Sequence, residues 1–494
     1  MKGRIRCHRS CFPEAVGTVV PQQKRECTGT VVLIFVCAEF KKGGVMPKKT
    51  IQLSDHFNYS RLLRFVLPCI GTMLFTSIYG IVDGLCVSNF VGKTAFAAVN
   101  LIMPVPMLVG TVGFMLGTGG SAIVGITLGE GDNKKADRYF SLFVYTAFLV
   151  GVVLSVVGFF AVRPAAVLLG AKGEMLEYAV RYGRVLMVSV PTFILQNLFQ
   201  SFFVTAEKPK LGFLFTVGAG CTNMVLDVVL VGALHLGVTG AAVATFISQL
   251  VGGVLPVFYF LEKKNTSRIH LGGTEFHGGV LRAACINGSS ELMTNLSMSI
   301  INILYNYQLL RFAGENGVAA YGVIMYAAFL FVAVFVGYAV GSAPIVSYHY
   351  GARNHAELNN LYTKSLRLIG VVAVVLTAVS MVLIPQVARI FVGYDPELLA
   401  LTSHAFRVYG LSFLIMGFNV YGSSFFTALG DGVTSALISF LRTMGFQLLF
   451  VLALPAVFGI EGVWLAVTAA ELAALAVTAS MFVTKDQKFH YRKA

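Results

Sequence analysis

Twelve apolar runs, each near the roughly 20 residues that a helix needs to cross a bilayer, occupy most of this 494-residue chain. No other feature constrains the fold as tightly. Inside hydrocarbon a segment must satisfy its own backbone hydrogen bonds, so runs of this length are read as helices. They fall near 62–88, 96–124, 138–162, 182–205, 211–233 and 239–261, and then near 279–309, 318–346, 364–388, 403–428, 434–456 and 461–483. The longest polar stretch after the first run, 262–279, is too short to bury a core of its own. Only 12% of the residues are charged, against about 25% in a soluble domain. A soluble enzyme and a disordered regulator are both excluded, and the chain reads as an all-α, multi-pass membrane protein.

The formal charge of +14 suggests nucleic acid until it is tested against the positive-inside rule. With the N-terminus inside, 28 Lys and Arg collect on the cytoplasmic side and eight on the outer side, while Arg442 is placed at a helix end. Both termini are then cytoplasmic. Of eight Cys, four lie before residue 45, and none shows metal-ligand spacing. Residues 1–45 have no counterpart elsewhere in the chain and are expected to be disordered or a mis-assigned start, with Met46 opening an ordinary lead into the first span.

One internal offset recurs. At a distance of 222, Gly92 pairs with Gly314, Ala97 and Ala98 with Ala319 and Ala320, and Asn197 with Asn419. Phe203, Thr205 and Ala206 pair likewise with Phe425, Thr427 and Ala428, and Gly237 and Gly240 with Gly459 and Gly462. A single register held across both halves means two six-helix bundles. Six is even, so the bundles insert with the same orientation and a pseudo-two-fold axis runs along the membrane normal. The expected lobes are 46–261 and 279–484, joined by a cytoplasmic linker at 262–278 and followed by a tail at 485–494. The substrate is expected between them. The glycine-rich stretch TVGFMLGTGGSAIVG is read as a packing face or a bending point.

Ionisable groups inside spans are costly and are functional candidates by default. Asp83 follows Tyr79 by four residues and Asp227 follows Asn223 by four, so each pair shares a helical face. Glu291 and Glu471 lie in the seventh and last spans. The repeat mates of Asp83 and Asp227 are Tyr305 and Leu449, so the acidic site is expected in one lobe only. A desolvated carboxylate pair can share a proton near neutral pH, and two carboxylates with side-chain oxygens can instead hold sodium. Tyr79, Tyr305 and Asn419 are the candidate cavity residues. No nucleotide-binding loop is present, because Val87 stands where the GKT at 92–94 would need a preceding glycine. Transport is then passive or coupled to an ion gradient.

The segments SIYGIVDGLCVSNFVGKTAFAAVNL, GTGGSAIVGITLGEGDNKKA, NMVLDVVLV with LGVTGAAVATFISQ, and NGSSELMTNLS resemble the multidrug and toxic compound extrusion (MATE) family, in its bacterial DinF-like and MepA-like branch. The resemblance covers about residues 50–485. It implies a V-shaped pair of six-helix bundles that exports small amphipathic, mostly cationic drugs and toxins in exchange for protons or sodium ions. By the same resemblance Asp83, Asn223 and Asp227, with Asn197 and Thr245, form a cation-coupling site in the first lobe, and Glu291 is a second-lobe coupling candidate. Glu471 joins it as a coupling or substrate residue on its mid-span place alone. No cofactor, nucleic acid or enzymatic activity is expected, and the protein is expected as a monomer in the bacterial plasma membrane. A transporter of lipid-linked or anionic cargo would need a basic cavity, and no Lys or Arg is placed mid-span. A scaffold or receptor would have no use for buried acids.

Overall fold

The computed structural model describes residues 51–262, 264–393 and 395–492, and for 81–90 and Lys93 the backbone alone. The expectation for residues 1–45 lies outside the described residues. The first half contains α1 (Tyr59–Val91), α2 (Lys93–Ile102), α3 (Pro104–Gly129), α4 (Asn133–Leu168), α5 (Gly173–Thr205), α6 (Pro209–Asp227) and α7 (Gly237–Leu261). The second contains α8 (Gly278–Asn287), α9 (Ser289–Gly351), α10 (His355–Val392), α11 (Pro396–Gly410), α12 (Phe413–Ala428), α13 (Gly432–Phe440), α14 (Phe446–Phe458), α15 (Ile460–Thr484) and the short α16 (Asp486–Phe489). A π-helical turn follows α6 at Val228–Ala233, and another joins α13 to α14 at Leu441–Gly445.

Among the described residues ten helices are long and apolar enough to cross a bilayer, and α11 with α12, bent by 47°, makes one more. Helix α9 is counted once there although its 63 residues would span about 95 Å at 1.5 Å per residue, three times a bilayer core. Gly314, at φ 59° and ψ −148°, breaks it into two passes. The total is twelve.

The internal repeat is visible in three dimensions. Gly92 and Gly314, and Gly237 and Gly459, all take positive φ, the left-handed region where glycine carries no Cβ penalty, so both halves turn at the same places. Phe140, Phe203 and Phe260 form an aromatic knot in the first half, with centroids 4.9 Å and 5.2 Å apart. Their mates at the same offset, Tyr362, Phe425 and Phe482, form another at 5.7, 5.2 and 5.8 Å. Even the outer surface repeats. Leu149, Val153 and Phe160 are 65%, 54% and 73% exposed, and their mates Val371, Val375 and Val382 are 63%, 53% and 67% exposed. Apolar stripes this open need lipid to cover them.

The glycine-rich stretch is a packing face within the single continuous helix α3. A Cβ at Gly113 or Gly117 would strike the α5 backbone around Ile194 and Leu198. On the opposite side, a Cβ at Gly119 would strike Ala284 and Gly288, and one at Gly129 would strike Tyr348, all in the second half. Gly341, the repeat mate of Gly119, faces the Val66 and Cys69 side chains of α1.

At the end of the bundle that carries Lys208, Arg268 and Lys364, the segment 51–58 straps the halves together. Leu53 N donates to Glu207 Oε1 at 2.8 Å, and Arg268 meets the same oxygen at 3.0 Å. On the other half, Phe57 N donates to Glu357 Oε1 at 2.8 Å, and His56 Nδ1 lies 2.6 Å from Glu357 Oε2. Asn360 and Lys364 donate to the Phe57 carbonyl. Leu53 and Phe57 are fully buried. The linker is tied to the first half as well, with His270 N donating to Asp137 and Ile269 buried.

Replacing Glu357 with Ala leaves the buried Phe57 N–H unpaired, which costs about 1–3 kcal/mol. The purified variant is expected to melt below the parent, while Glu357→Gln, which can still accept from Phe57 N, recovers part of the loss. Equal melting of the Ala variant and the parent would show that the strap contributes nothing. Asp431 lies outside the spans, ahead of α13. Burial pushes its carboxyl up, but the Thr434 hydroxyl at 2.9 Å and Lys485 at 3.1 Å hold it below the usual carboxylate range. The stability it contributes is complete above the ordinary value of about 3.9 and is lost as pH falls through the lower folded value. The melting advantage of the parent over Asp431→Asn should therefore be full at pH 7 and shrink on acidification below that value.

Candidate functional site

A cavity of about 330 Å³ lies between the halves, mostly within the second. The first half contributes Thr118, Ser121 and Ala122 from α3 and Ser201 from α5. The second contributes Glu291 and Thr294 from the start of α9, Tyr321 and Met325 from its later part, and side chains of α12, α14 and α15. Ser201 and its repeat mate Ser423 both reach the cavity, so the pseudo-axis passes close by. About half of the wall is Met, Val, Ala, Ile, Phe and Tyr, and the other half is polar, chiefly Ser and Thr. This mixed composition suits an amphipathic guest: apolar surface supplies affinity, and polar groups set orientation. Methionine adapts its shape to more than one ligand.

The charged part of the wall is Glu291, Arg442 and Glu471. Glu471, midway along α15 and 1% exposed, accepts from Arg442 Nε at 2.8 and 3.1 Å on its two oxygens. Asn419 Nδ2 donates to Glu471 Oε2 at 2.8 Å and to the Glu471 carbonyl at 2.9 Å, and Thr478 Oγ1 donates to Asn419 Oδ1 at 2.9 Å. Two sequence expectations are corrected here. Arg442 is not at a helix end, because it sits inside the Gly432–Phe458 span within a π-helical turn. Such a turn inserts an extra residue into the helix and re-aims its side chains. With the helix-end placement falls the expectation that no Lys or Arg is placed mid-span. An apolar interior cannot hold Arg442 or Glu471 alone, and pairing makes both tolerable.

Glu291 behaves differently. Its carboxylate makes no hydrogen bond or ion pair among the described residues and faces the cavity from the first turn of α9. The lining therefore contains one matched ion pair and one carboxylate left for a ligand or an ion.

In the first half Asn223 and Asp227 lie four residues apart at the end of α6, 2% and 0% exposed. The π-helical turn begins directly after Asp227. Asn223 Nδ2 reaches Thr245 Oγ1 on α7 at 3.4 Å, while Asn223 Oδ1 has no partner among the described residues. Asn197 turns toward α3 and donates to the Gly110 carbonyl at 3.4 Å; no hydrogen bond ties it to the Asn223–Thr245 pair among the described residues. Asp83 belongs to α1, and its side chain lies outside the described residues. Tyr79 on α1 packs against Phe75, 6.2 Å away, beside Gly220 of α6. Neither Tyr79 nor Tyr305 is part of the cavity wall. Tyr305 is buried and stacks on Tyr321 at 5.0 Å and 7°, so it supports a wall residue from behind. Asn419 lies behind the wall and donates to Glu471.

Sequence reasoning missed Arg442, Tyr321 and Thr294. For Arg442 the signal was present: FLRTMGFQLLF places a charge a short way into an apolar run, the situation in which function is the default reading. For the other two nothing in a single sequence separates a cavity face from a packed one.

Helical halves repeated about an axis, with an amphipathic cavity between them, define a multi-pass membrane transporter fold. The MatE family pattern matches residues 68–229 and 292–452, once in each half, and the chain belongs to that family. It is 24% identical over 434 residues to the multidrug export protein MepA of Staphylococcus saprophyticus, covering 87% of this chain and 94% of that protein. It is 23% identical, with the same coverage, to MepA of Staphylococcus aureus. A crystal structure of MATE in complex with MaL6 superposes with a TM-score of 0.84 at 24% identity, over 90% of this chain and all of that one. A MOP superfamily transporter from Pyrococcus furiosus, described by a reverse polarity of its binding pocket, superposes at 0.82 with 24% identity, over 91% of this chain and all of that one.

Glu471→Gln strands the Arg442 charge in an apolar wall, a loss of about 3–5 kcal/mol for a buried pair. The single variant is expected to melt well below the parent, and the double variant Arg442→Gln with Glu471→Gln to recover most of the difference. A double variant no more stable than the single one would mean that the pair has no energetic coupling.

Proposed function

We propose that this protein exports small amphipathic, mostly cationic drugs and toxins from the bacterial cytoplasm by alternating access, driven by inward movement of protons or sodium ions. The observation that carries the reading is the Glu291 carboxylate, without a partner among the described residues, on the wall of a mixed apolar and polar cavity between two repeated halves. Membership of the MatE family and likeness to proteins named for multidrug export support it. Binding between the halves is what alternating access requires, since the site must be exposed by rocking one half against the other.

Coupling is assigned to Asp83 and Asp227 with Asn197, Asn223 and Thr245. The burial of Asp227, and of Asn223 with an unsatisfied side-chain oxygen, supports this, because a protonated carboxyl or a bound cation would supply what such a site lacks. Glu291 is a second coupling or substrate group. The protein acts as a monomer without a cofactor, has no catalytic site, and lies in the plasma membrane with both termini cytoplasmic, a placement that the Lys and Arg distribution supports.

Transport of anionic cargo gains one argument, the presence of Arg442 in the cavity wall. Glu471 neutralises that charge, however, and the wall keeps a net charge of one carboxylate, which favours a cation.

Ethidium efflux from proteoliposomes, run with an imposed proton gradient and then a sodium gradient, tests the reading. Export is expected with one of the two gradients. Asp83→Asn and Asp227→Asn should each abolish it while leaving the melting temperature unchanged or higher, because a neutral side chain is cheaper to bury. Variants that fold like the parent and still pump at parental rates would remove the coupling assignment, and a parent inactive under both gradients would remove the export reading.

A further inference from the structure

The two members of the buried ion pair do not face the cavity equally. Glu471 is 1% exposed, and its oxygens are taken by Arg442 and Asn419. Arg442 is 15% exposed and stands at the wall. Of the five N–H donors on a guanidinium, only the one on Nε is used on Glu471. The terminal nitrogens donate to nothing among the described residues. Arg442 thus lines the cavity with donors that nothing among the described residues uses, and Glu471 balances its charge.

A carboxylate is the natural partner of a guanidinium fork, since paired N–H groups match it in bidentate geometry. A plain anion would still meet Glu291, a like charge with no counter-ion in a poorly solvated space. A plain cation would satisfy Glu291 and leave the fork unused. We infer that Arg442 reads an anionic group on the ligand, so that the cavity prefers amphipathic zwitterions: an apolar body with a cationic centre for Glu291 and a carboxylate for Arg442. This rests on the export reading above and adds to it a ligand class and the residue that selects it. It also gives the Arg442–Glu471 pair a purpose beyond stability, because Glu471 holds the guanidinium through Nε and leaves the terminal nitrogens to a ligand.

A matched pair of probes tests this without transport. A diethylaminorhodamine with a free carboxylate is zwitterionic at pH 7, and its ethyl ester, otherwise identical, is a cation. Equilibrium binding of each to the purified full-length protein in detergent, followed by fluorescence anisotropy, gives two dissociation constants. The parent should hold the acid more tightly than the ester by about tenfold, the factor supplied by one charge-assisted hydrogen bond of ordinary strength. In the double variant Arg442→Gln with Glu471→Gln, which keeps the buried charge balanced and so protects the fold, the preference should vanish through weaker binding of the acid, with the ester changed less than about threefold. Arg442→Lys, which retains the charge and loses the fork, should fall between. Glu291→Gln should weaken both probes. A parent with no preference for the acid, or a preference that survives the double variant, overturns the inference while leaving the export reading untouched. If neither probe binds the parent, the cavity is not the ligand site and the inference falls with it; ethidium efflux then decides the export reading separately.

Discussion

The closeness with which two backbones can meet governs this molecule. In hydrocarbon no hydrophobic force draws helices together, so association depends on van der Waals contact, and small residues at the interface permit it. Here the contact runs from one half to the other. A Cβ at Gly119 or at Gly288 would strike the opposing backbone, and so would one at Gly129 or Gly351. The repeat returns the contact in mirrored roles, with Gly337 and Gly341 of α9 closing on Ile70 and Cys69 of α1. Because α3 and α9 are held that near to the opposite half, the strap at 51–58 can reach both Glu207 and Glu357, and the cavity beyond them has walls from both halves.

On this repeated scaffold the polar chemistry is not repeated. Asn197 and Asn419 occupy equivalent places, yet Asn223, Asp227 and Thr245 correspond to Gly445, Leu449 and Val467, while Arg442 and Glu471 correspond to Gly220 and Gln249. The two π-helical turns differ as well: one follows Asp227, the other contains Arg442. Duplication supplies two equal frames, and substitution places in one a buried acid beside an amide oxygen with no partner among the described residues, and in the other an ion pair that lines the same cavity as Glu291. That division suits a transporter, in which an ion and its cargo need not occupy the same place.

Burial of charge sets the limits within which this can vary. Glu471 is acceptable because Arg442, Asn419 and, through it, Thr478 satisfy it, and Arg442 is acceptable because Glu471 lies behind it. Neither is stable without the other in an apolar wall. Glu291 is less constrained, since it opens onto the cavity, where water, an ion or a ligand can solvate it.

The sequence by itself determined the membrane class, the number of crossings and the twofold repetition, because each rests on local composition or on a constant offset. It also singled out Glu291 and Glu471, since a charge within an apolar run is conspicuous wherever the run lies. What only the tertiary structure decided was which of these groups meet. Arg442 and Glu471 are 29 residues apart, and nothing local to either points to the other. Tyr305 was chosen as the mate of Tyr79's neighbour Asp83 and turns out to lie behind Tyr321, because an offset identifies equivalent places and says nothing about which side of a helix faces a cavity. Pairing of charges, and the line between packed wall and open wall, depend on helix rotation and separation. Those are set by the glycine contacts between helices far apart in the chain.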